Sequence, residues 1–324
     1  LGLAEMTETP VVLLEAMRAG PSTGMPTKPE QGDLEHVLYT SQGDSNRVVF
    51  TPGNVRECYE QARMAFEVAY EYQIPAILVF DQKLSGEYRN LPKSFFDREP
   101  NPSLGKTLTE AELEDAPHHA AGSFERFQHE AEDGVSPRSI PGQKGGRFLA
   151  TGNEHNPSGH ISEDPANRVA QMDRRNQKLE SIREHLDEAE SQQTTYGPAE
   201  AEYGILTWGS QQGTVKEAVE RMNESGHSVR ALSVSDMEPF PEEAVRAFLE
   251  SVDETLVVEM NSTAQFRGHV QRHLGDFGDR LTSLLKYNGN PFEPAEIVEG
   301  FEAHLDGGTA SPDAQTRLEP ATGD

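Results

Sequence analysis

Arg18 and Lys28 bracket a loop in the stretch MRAGPSTGMPTKPEQGD, residues 17–33, which holds three Gly, three Pro, one Ser and two Thr. A guanidinium can grip a carboxylate through two parallel N–H bonds. The hydroxyls and amides of a Ser22–Thr23–Gly24 turn can complete such a pocket. Thr27 and Lys28 are candidates for the far end of a ligand, and a second cation near Arg18 would suit a dicarboxylate. Phosphate is a competing ligand, but the spacing lacks the P-loop lysine and its Arg precedes the glycines. A third reading is an elaborate strand-to-helix turn, in which Ser22 and Thr23 only cap the turn and Gly20, Gly24 and Gly32 serve backbone geometry.

Other residues invite chemistry with less support. NEHNPSGH sets His155 and His160 near Glu154 and Asp164. That spacing fits no standard zinc pattern, so a hydrogen-bonded structural or lid role is expected and no metal is assigned. The turn TWGSQQ, 207–212, follows an apolar run, as a phosphate cradle would, but has neither a Walker spacing nor G-x-G-x-x-G. Glu259-Met260-Asn261 holds a comparable position, where a subunit or coenzyme A contact is conceivable. Cys58 is the single cysteine, which leaves no intrachain disulfide and no Cys-based zinc or iron–sulfur site in this sequence.

The elements that must position these groups alternate. PVVLLEAM, 10–17, is an apolar run of strand length suited to the core of a parallel sheet. After the loop come Val48–Phe50, an N-cap at Asn54, and a helix with apolar residues at 55, 58, 62, 65, 66 and 69. Ile74–Phe80 returns as a strand ending at Asp81, giving the strand–helix–strand unit of an open α/β sheet. Composition then shifts to Pro, Gly, His and acids. The apolar period stays weak until a stretch at 168–190, charged on most faces, that reads as an exposed helix. Within this region, GRFLATGNEHNPSGH looks like an ordered wrapping arm, and 100–138 has a weaker pattern. From about 203 strands and helices alternate again, as in a compact doubly wound domain. The expected divisions are 1–90, an arm at 91–200, a second domain at 201–305, and a disordered tail at 306–324.

The 324 residues carry 55 Asp+Glu against 28 Lys+Arg, a net charge of −27, with only eight Lys. Counterion-release binding to nucleic acid is not expected with this charge, and adaptation to high salt is. The apolar runs are too short to span a bilayer. The lone cysteine suits a reducing cytoplasm, which is the setting expected. LGLAEMTETP reads as a helix end entering a strand, so the sequence is expected to be a fragment with its natural N-terminus upstream.

GPSTGMPTKPEQGDL resembles the signature loop of the alpha subunit of 2-oxoacid:ferredoxin oxidoreductases. The resemblance continues through VVFTPGNVRECYEQARMAFEVAYEYQIPAILVFDQ and GRFLATGNEHNPSGHISEDPANRVAQMDRR. GILTWGSQQGTVKEAVERM, LSVSDMEPFPEEAV and LVVEMNSTAQF are similar to that family's transketolase-C-terminal-like domain. The implied fold class is α/β: a partial thiamine-diphosphate-binding domain of the pyrimidine type, plus a transketolase C-terminal-like doubly wound domain. The implied reaction is oxidative decarboxylation of a 2-oxoacid with coenzyme A to acyl-CoA and CO2, reducing ferredoxin. In this resemblance Arg18 anchors the substrate carboxylate, with Ser22, Thr23, Thr27 and Lys28 shaping the pocket. No catalytic residue falls in this sequence. The family's upstream Tyr-Pro-Ile-Thr-Pro motif and activating Glu are not in it. Thiamine diphosphate with Mg2+ and a [4Fe-4S] cluster would be held mostly by a partner beta subunit or the missing region. Lys28 favours 2-oxoglutarate, with pyruvate the alternative. A non-catalytic assembly subunit and a phosphate- or nucleotide-binding regulator are the competing functions.

Overall fold

The computed structural model describes residues 1–97, 103–119, 123–188 and 193–307. Helix α1 (Gly2–Met6) leads into β1 (Val11–Met17). After the 18–33 loop come α2 (Leu34–Tyr39), β2 (Val48–Phe50), α3 (Val55–Tyr72), β3 (Pro75–Asp81) and the single turn α4 (Gln82–Ser85). In the irregular region, a short 3-10 turn (Lys93–Phe96) and α5 (Glu110–Asp115) precede the long α6 (Pro165–Glu188) among the described residues. The second half runs β4 (Thr194–Tyr196), β5 (Tyr203–Trp208), α7 (Gln212–Glu224), β6 (Val229–Val234) and β7 (Asp236–Glu238). It continues with α8 (Glu242–Glu250), β8 (Glu254–Glu259), α9 (Gln265–His273), β9 (Leu281–Leu285) and α10 (Pro294–Leu305). Most of the expected tail lies outside the described residues, as do parts of the 100–138 stretch.

Two sheets result. The second has order β4-β6-β5-β8-β9, parallel except for the antiparallel edge strand β4. This is the doubly wound α/β arrangement that the alternation predicts. The first has order β1-β3-β2-β7: β1, β3 and β2 run parallel, while β7 pairs antiparallel with β2, Val49 opposite Glu238. The run HSVRALSVSDMEPFP is therefore split between the two sheets. Val229–Val234 stays in its own sheet and Asp236–Glu238 crosses to the other.

One buried core joins the halves. Met17, Val49, Ile77 and Val79 of the first sheet pack with Leu206, Trp208, Leu232 and Val234 of the second, and with Phe248 and Phe266 on α8 and α9. The far face of the first sheet is covered by α3 and α6, with Val68, Ala69, Ile182 and Leu186 in contact with it; α7 and α10 cover the far face of the second. Asn54 caps α3 by accepting from the N–H groups of Arg56 and Glu57 at 3.0 and 3.1 Å. The helix buries Gln61, Ala65, Val68, Ala69 and Tyr72, so its inward face is rotated from the apolar spacing, and Phe66 is exposed. β1 is not central but an edge strand, and Leu13 and Leu14 are 39% and 65% exposed.

α6 departs from the exposed helix expected. Gln171, Arg174, Arg175, Lys178, Ile182 and Leu186 form a stripe at helical spacing that is almost wholly buried. The reason is a carboxylate. Glu8, between α1 and β1 and fully buried, accepts from Lys178 Nζ at 2.8 Å and from Arg174, with Arg126 Nη1 at 3.8 Å. Burial would raise the Glu8 carboxyl, but Lys178, Arg174 and Arg126 outweigh it and hold it well below its usual range. Burial pushes the Lys178 ammonium down to about 8 despite Glu8. Arg126 and Arg174 spend further N–H groups on the carbonyls of Ser136 and Gly134, at 3.2 and 3.1 Å. Removing the shared carboxylate would leave buried cations without their counter-charge. Glu8→Gln is therefore expected to cost about 3–5 kcal/mol. In urea unfolding, Glu217→Gln, which breaks an exposed helix pair with Arg221, is expected to cost under about 1 kcal/mol.

Candidate active-site loop

β1, β2 and β3 are parallel, so their carboxyl ends share one edge of the sheet, where open α/β folds place ligands. The loop leaves that edge after Met17, the residue paired with Asp81 at the end of the β1–β3 ladder. Its tip folds on itself: Ala19 N–H donates to the Lys28 carbonyl at 3.0 Å, Met25 N–H to Ala19 at 2.8 Å, and Lys28 N–H to Met25 at 3.0 Å. Ser22 and Gly24 adopt left-handed backbone, with φ of +57° and +48°. A Cβ on Gly24 would lie 1.9 Å from the Ala19 carbonyl oxygen, so only glycine fits the turn. Gly20 N–H donates to Glu30 at 3.2 Å. Burial raises the Glu30 carboxyl, against the pull of that N–H.

The base of the loop is fixed by residues far away in sequence. Gln31 Nε2 donates to the Trp208 carbonyl at 3.0 Å, and its Oε1 accepts from Met260 N–H at 2.8 Å. Its backbone N–H donates to the Met260 carbonyl at 2.6 Å, and its carbonyl accepts from Asn261 Nδ2 at 3.1 Å. Gln265 adds a bond to the Gly32 carbonyl and accepts from Glu35 N–H. No local pattern announces these anchors, because each is a buried polar residue whose bonds to the loop come from far away in sequence.

Arg18, Ser22, Thr23 and Thr27 are exposed and have no side-chain hydrogen bond or ion pair with other described residues. Lys28 is half-buried, and its Nζ donates to Asn290 Oδ1 at 3.0 Å. The structure thus gathers all five on one short loop, with a guanidinium left uncommitted in an acid-rich chain and the lysine tied to the second half.

The other sequence candidates are structural. His155 is buried against Phe127, ring centroids 4.2 Å apart, with Nδ1 3.0 Å from the Asn153 carbonyl. His160 Nδ1 lies 3.0 Å from Ser158 Oγ. Glu154 binds Arg175 and Arg168 at 2.6 and 2.5 Å, and Asp164 accepts from Asn167 N–H near the start of α6. The segment therefore pins the arm to α6. In the 207–212 turn, Ser210 bonds Asp81 and Gln212 bonds Glu57 and Asn54, tying the halves together rather than opening a phosphate cradle. Glu259 accepts from the N–H groups of Phe266 and Arg267, capping α9.

Comparison with known proteins decides the family. Residues 1–174 match the model described as pyruvate flavodoxin/ferredoxin oxidoreductase, thiamine diphosphate-binding, and 201–297 match pyruvate:ferredoxin oxidoreductase core domain II. The chain belongs to this oxidoreductase family. It is 33% identical over 302 residues to the alpha subunit of 2-oxoacid:ferredoxin oxidoreductase 1 of Sulfurisphaera tokodaii, covering 93% of this chain and 45% of that protein. It is 29% identical to the 2-oxoglutarate synthase subunit KorA of Methanothermobacter thermautotrophicus, covering 92% of this chain and 74% of that one. The solved 2-oxoglutarate:ferredoxin oxidoreductase of Magnetococcus marinus, with 2-oxoglutarate, coenzyme A and succinyl-CoA bound, superposes with a TM-score of 0.78 at 29% identity. That match covers 94% of this chain and 50% of the solved one. The chain thus spans about half the length of several relatives in this oxidoreductase family.

Which part of a thiamine-diphosphate site do the residues fit? The loop's uncommitted groups are a guanidinium and hydroxyls, which suit an organic carboxylate. Among the described residues, the group of three His, Cys, Asp or Glu side chains close enough to share an ion is Glu238, His269 and His273. It lies on β7 and α9, and its two imidazoles suit a magnesium diphosphate poorly. A guanidinium and hydroxyls suit a carboxylate and a phosphate alike, so the loop's groups are compatible with either.

Gln31→Ala would orphan the Trp208 carbonyl and the Met260 amide in a buried seam. Unsatisfied groups cost about 1–3 kcal/mol each, so a loss of roughly 2–5 kcal/mol is expected in urea unfolding. Glu154 gives a pH test. Burial would raise its carboxyl, but hydrogen bonds from Arg175 and Arg168 bring it down from 4.5 to about 2. Its contribution is therefore complete above pH 4.5 and lost as pH falls toward 2. Thermal unfolding across that window should fall less steeply with decreasing pH in Glu154→Gln than in the parent.

Proposed function

We propose that this chain is the substrate-positioning part of the alpha subunit of a 2-oxoacid:ferredoxin oxidoreductase, with 2-oxoglutarate as the acid. The overall conversion is 2-oxoglutarate, coenzyme A and two oxidised ferredoxins to succinyl-CoA, CO2, one proton and two reduced ferredoxins. The observation that carries the reading is the exposed, uncommitted Arg18 guanidinium on a loop whose base Gln31 locks at four points. Held there, Arg18 grips the 2-oxoacid carboxylate bidentately, and the Ser22–Thr23 turn and Thr27 shape the pocket beside it. Fixing the acid in one orientation contributes several kcal/mol of barrier lowering. The relatives named for 2-oxoglutarate, and Lys28 at the rim of the loop, favour that acid over pyruvate.

The same reading assigns Mg2+ and a [4Fe-4S] cluster to a partner beta subunit, since one cysteine cannot ligate a four-cysteine cluster. Thiamine diphosphate, when bound, supplies the electron sink that lets CO2 depart. Ferredoxin and the beta subunit are the protein partners, and a reducing cytoplasm is the setting that the lone cysteine suits. No helix among the described residues is long and apolar enough to cross a membrane. The acidic, Lys-poor composition extends the proposal to a high-salt environment, where self-repulsion is screened. An assembly-only role would draw instead on the open edge of β1, where Leu13 and Leu14 are exposed.

Arg18→Ala in the alpha–beta complex separates these readings. Charged hydrogen bonds contribute about 1.5–3 kcal/mol each, so kcat/KM for 2-oxoglutarate is expected to fall by roughly 100-fold or more, with partial recovery in Arg18→Lys. Near-parental kinetics with unchanged KM would overturn the assignment. A higher parental kcat/KM for pyruvate than for 2-oxoglutarate would overturn the choice of acid.

A further inference from the structure

α9 carries His269 and His273 one helical turn apart, on the face that meets β7, and β7 contributes Glu238. One donor atom from each of the three lies within 4.8 Å of the others. His269 is buried. Its Nε2 faces the Met237 carbonyl at 2.9 Å, and a carbonyl can only accept, so Nε2 carries the proton. Nδ1 is then a lone-pair nitrogen, and it is buried with no hydrogen-bond partner. His273 shows the complementary arrangement. Its Nδ1 faces Glu242 Oε1 at 2.9 Å, which puts the proton there and leaves Nε2 available. A carboxylate on the far nitrogen of an imidazole is the support that metal-binding histidines commonly have, because it fixes the tautomer and raises ligand basicity.

The surroundings leave room for an ion. A cavity of about 380 Å3 reaches the three residues and is also lined by Asp44, Arg47 and Arg272. Arg47 donates to the carbonyls of Val37, Thr40 and Ser45, and Arg272 lies over the Tyr39 ring; both also face the Glu238 carboxylate electrostatically, as does Arg183, so the site already holds positive charge that an ion would have to outweigh. Phe240 packs against both imidazoles, with centroids 5.0 and 4.7 Å away, which restrains their rotation. Aromatic packing explains the ring orientations. It does not explain an unpartnered buried Nδ1 on a histidine whose donor atoms fall, with those of His273 and Glu238, within 4.8 Å of one another.

We propose that Glu238, His269 and His273 bind a divalent transition-metal ion of the zinc class. Two imidazoles and one carboxylate suit Zn2+ and its borderline neighbours rather than Mg2+ or Ca2+. Three protein ligands leave a fourth position open toward the cavity for water. The ion would join α9 of the second half to the strand that the second half lends to the first sheet, so it acts as a staple across the seam and not as part of the substrate loop.

The test is zinc titration of the tag-free, chelator-stripped full chain, followed by competition with a chromophoric chelator and by elemental analysis after desalting. One zinc per chain is expected, with a rise in Tm on binding. Glu238→Gln and His273→Gln, at partly exposed positions, are each expected to weaken binding at least 10-fold while the apo protein remains folded. Glu242→Gln should weaken it by about 10- to 100-fold through loss of the supporting carboxylate. His269→Ala serves as a further ligand variant if it folds; if it does not, the two partly exposed variants decide. Absence of stoichiometric zinc, or zinc binding unchanged in both Glu238→Gln and His273→Gln, would overturn the proposal.

Discussion

Gln31 uses its amide, its carbonyl and both ends of its side chain to bridge the seam between the two sheets. It is fully buried, so water cannot replace any of those bonds at low cost. That single residue sets where the 18–33 loop emerges and therefore where Arg18 stands. Ser210 on Asp81, and Gln212 on Glu57 and Asn54, fasten the same seam. The candidate site is thus a long cation on an exposed turn, mounted on an over-determined base. Glycine at 24 and the left-handed Ser22 make the turn tight enough to keep that mounting stiff.

Much of the architecture was legible in the sequence because apolar periodicity and turn chemistry act locally. β1, α3 and β3, and the alternation from β5 to α10, follow from runs such as VVLLEAM and from the Asn54 cap. The family's signature motifs extended this to the fold class, and the family match bears that out. The failures share one physical cause. α6 read as solvent-exposed because its inward stripe is Arg174, Arg175 and Lys178, and charge is the usual mark of an outside face. Only the positions of Glu8, far away in sequence, and Glu154, in the loop before the helix, reverse that meaning.

The site was legible in its residue types but not in its supports. Arg18 and its neighbours stand out because Gly, Pro, Ser and Thr crowd around a cation. Gln31, Asn261 and Gln265 do not, since a lone polar residue carries no period and no motif. β7 was invisible for a similar reason: three residues that switch sheets look like the frayed end of the strand before them. His269 and His273 were readable as H-x3-H on a helix, yet their carboxylate, Glu238, comes from that same unrecognised strand.

β7 also bears on how the protein is made. The first sheet receives its last strand only when Asp236–Glu238 meets Val49–Phe50, a pairing across nearly the whole distance from one half to the other. On a ribosome, the chain through β3 emerges long before that strand exists, leaving the β2 edge unpaired while α6 and the second sheet are still being synthesised. Closing such a long loop is slow, and an open apolar edge is a template for the wrong partner. The halves are therefore not independent modules that could be traded between proteins: to move the second is to remove a strand from the first.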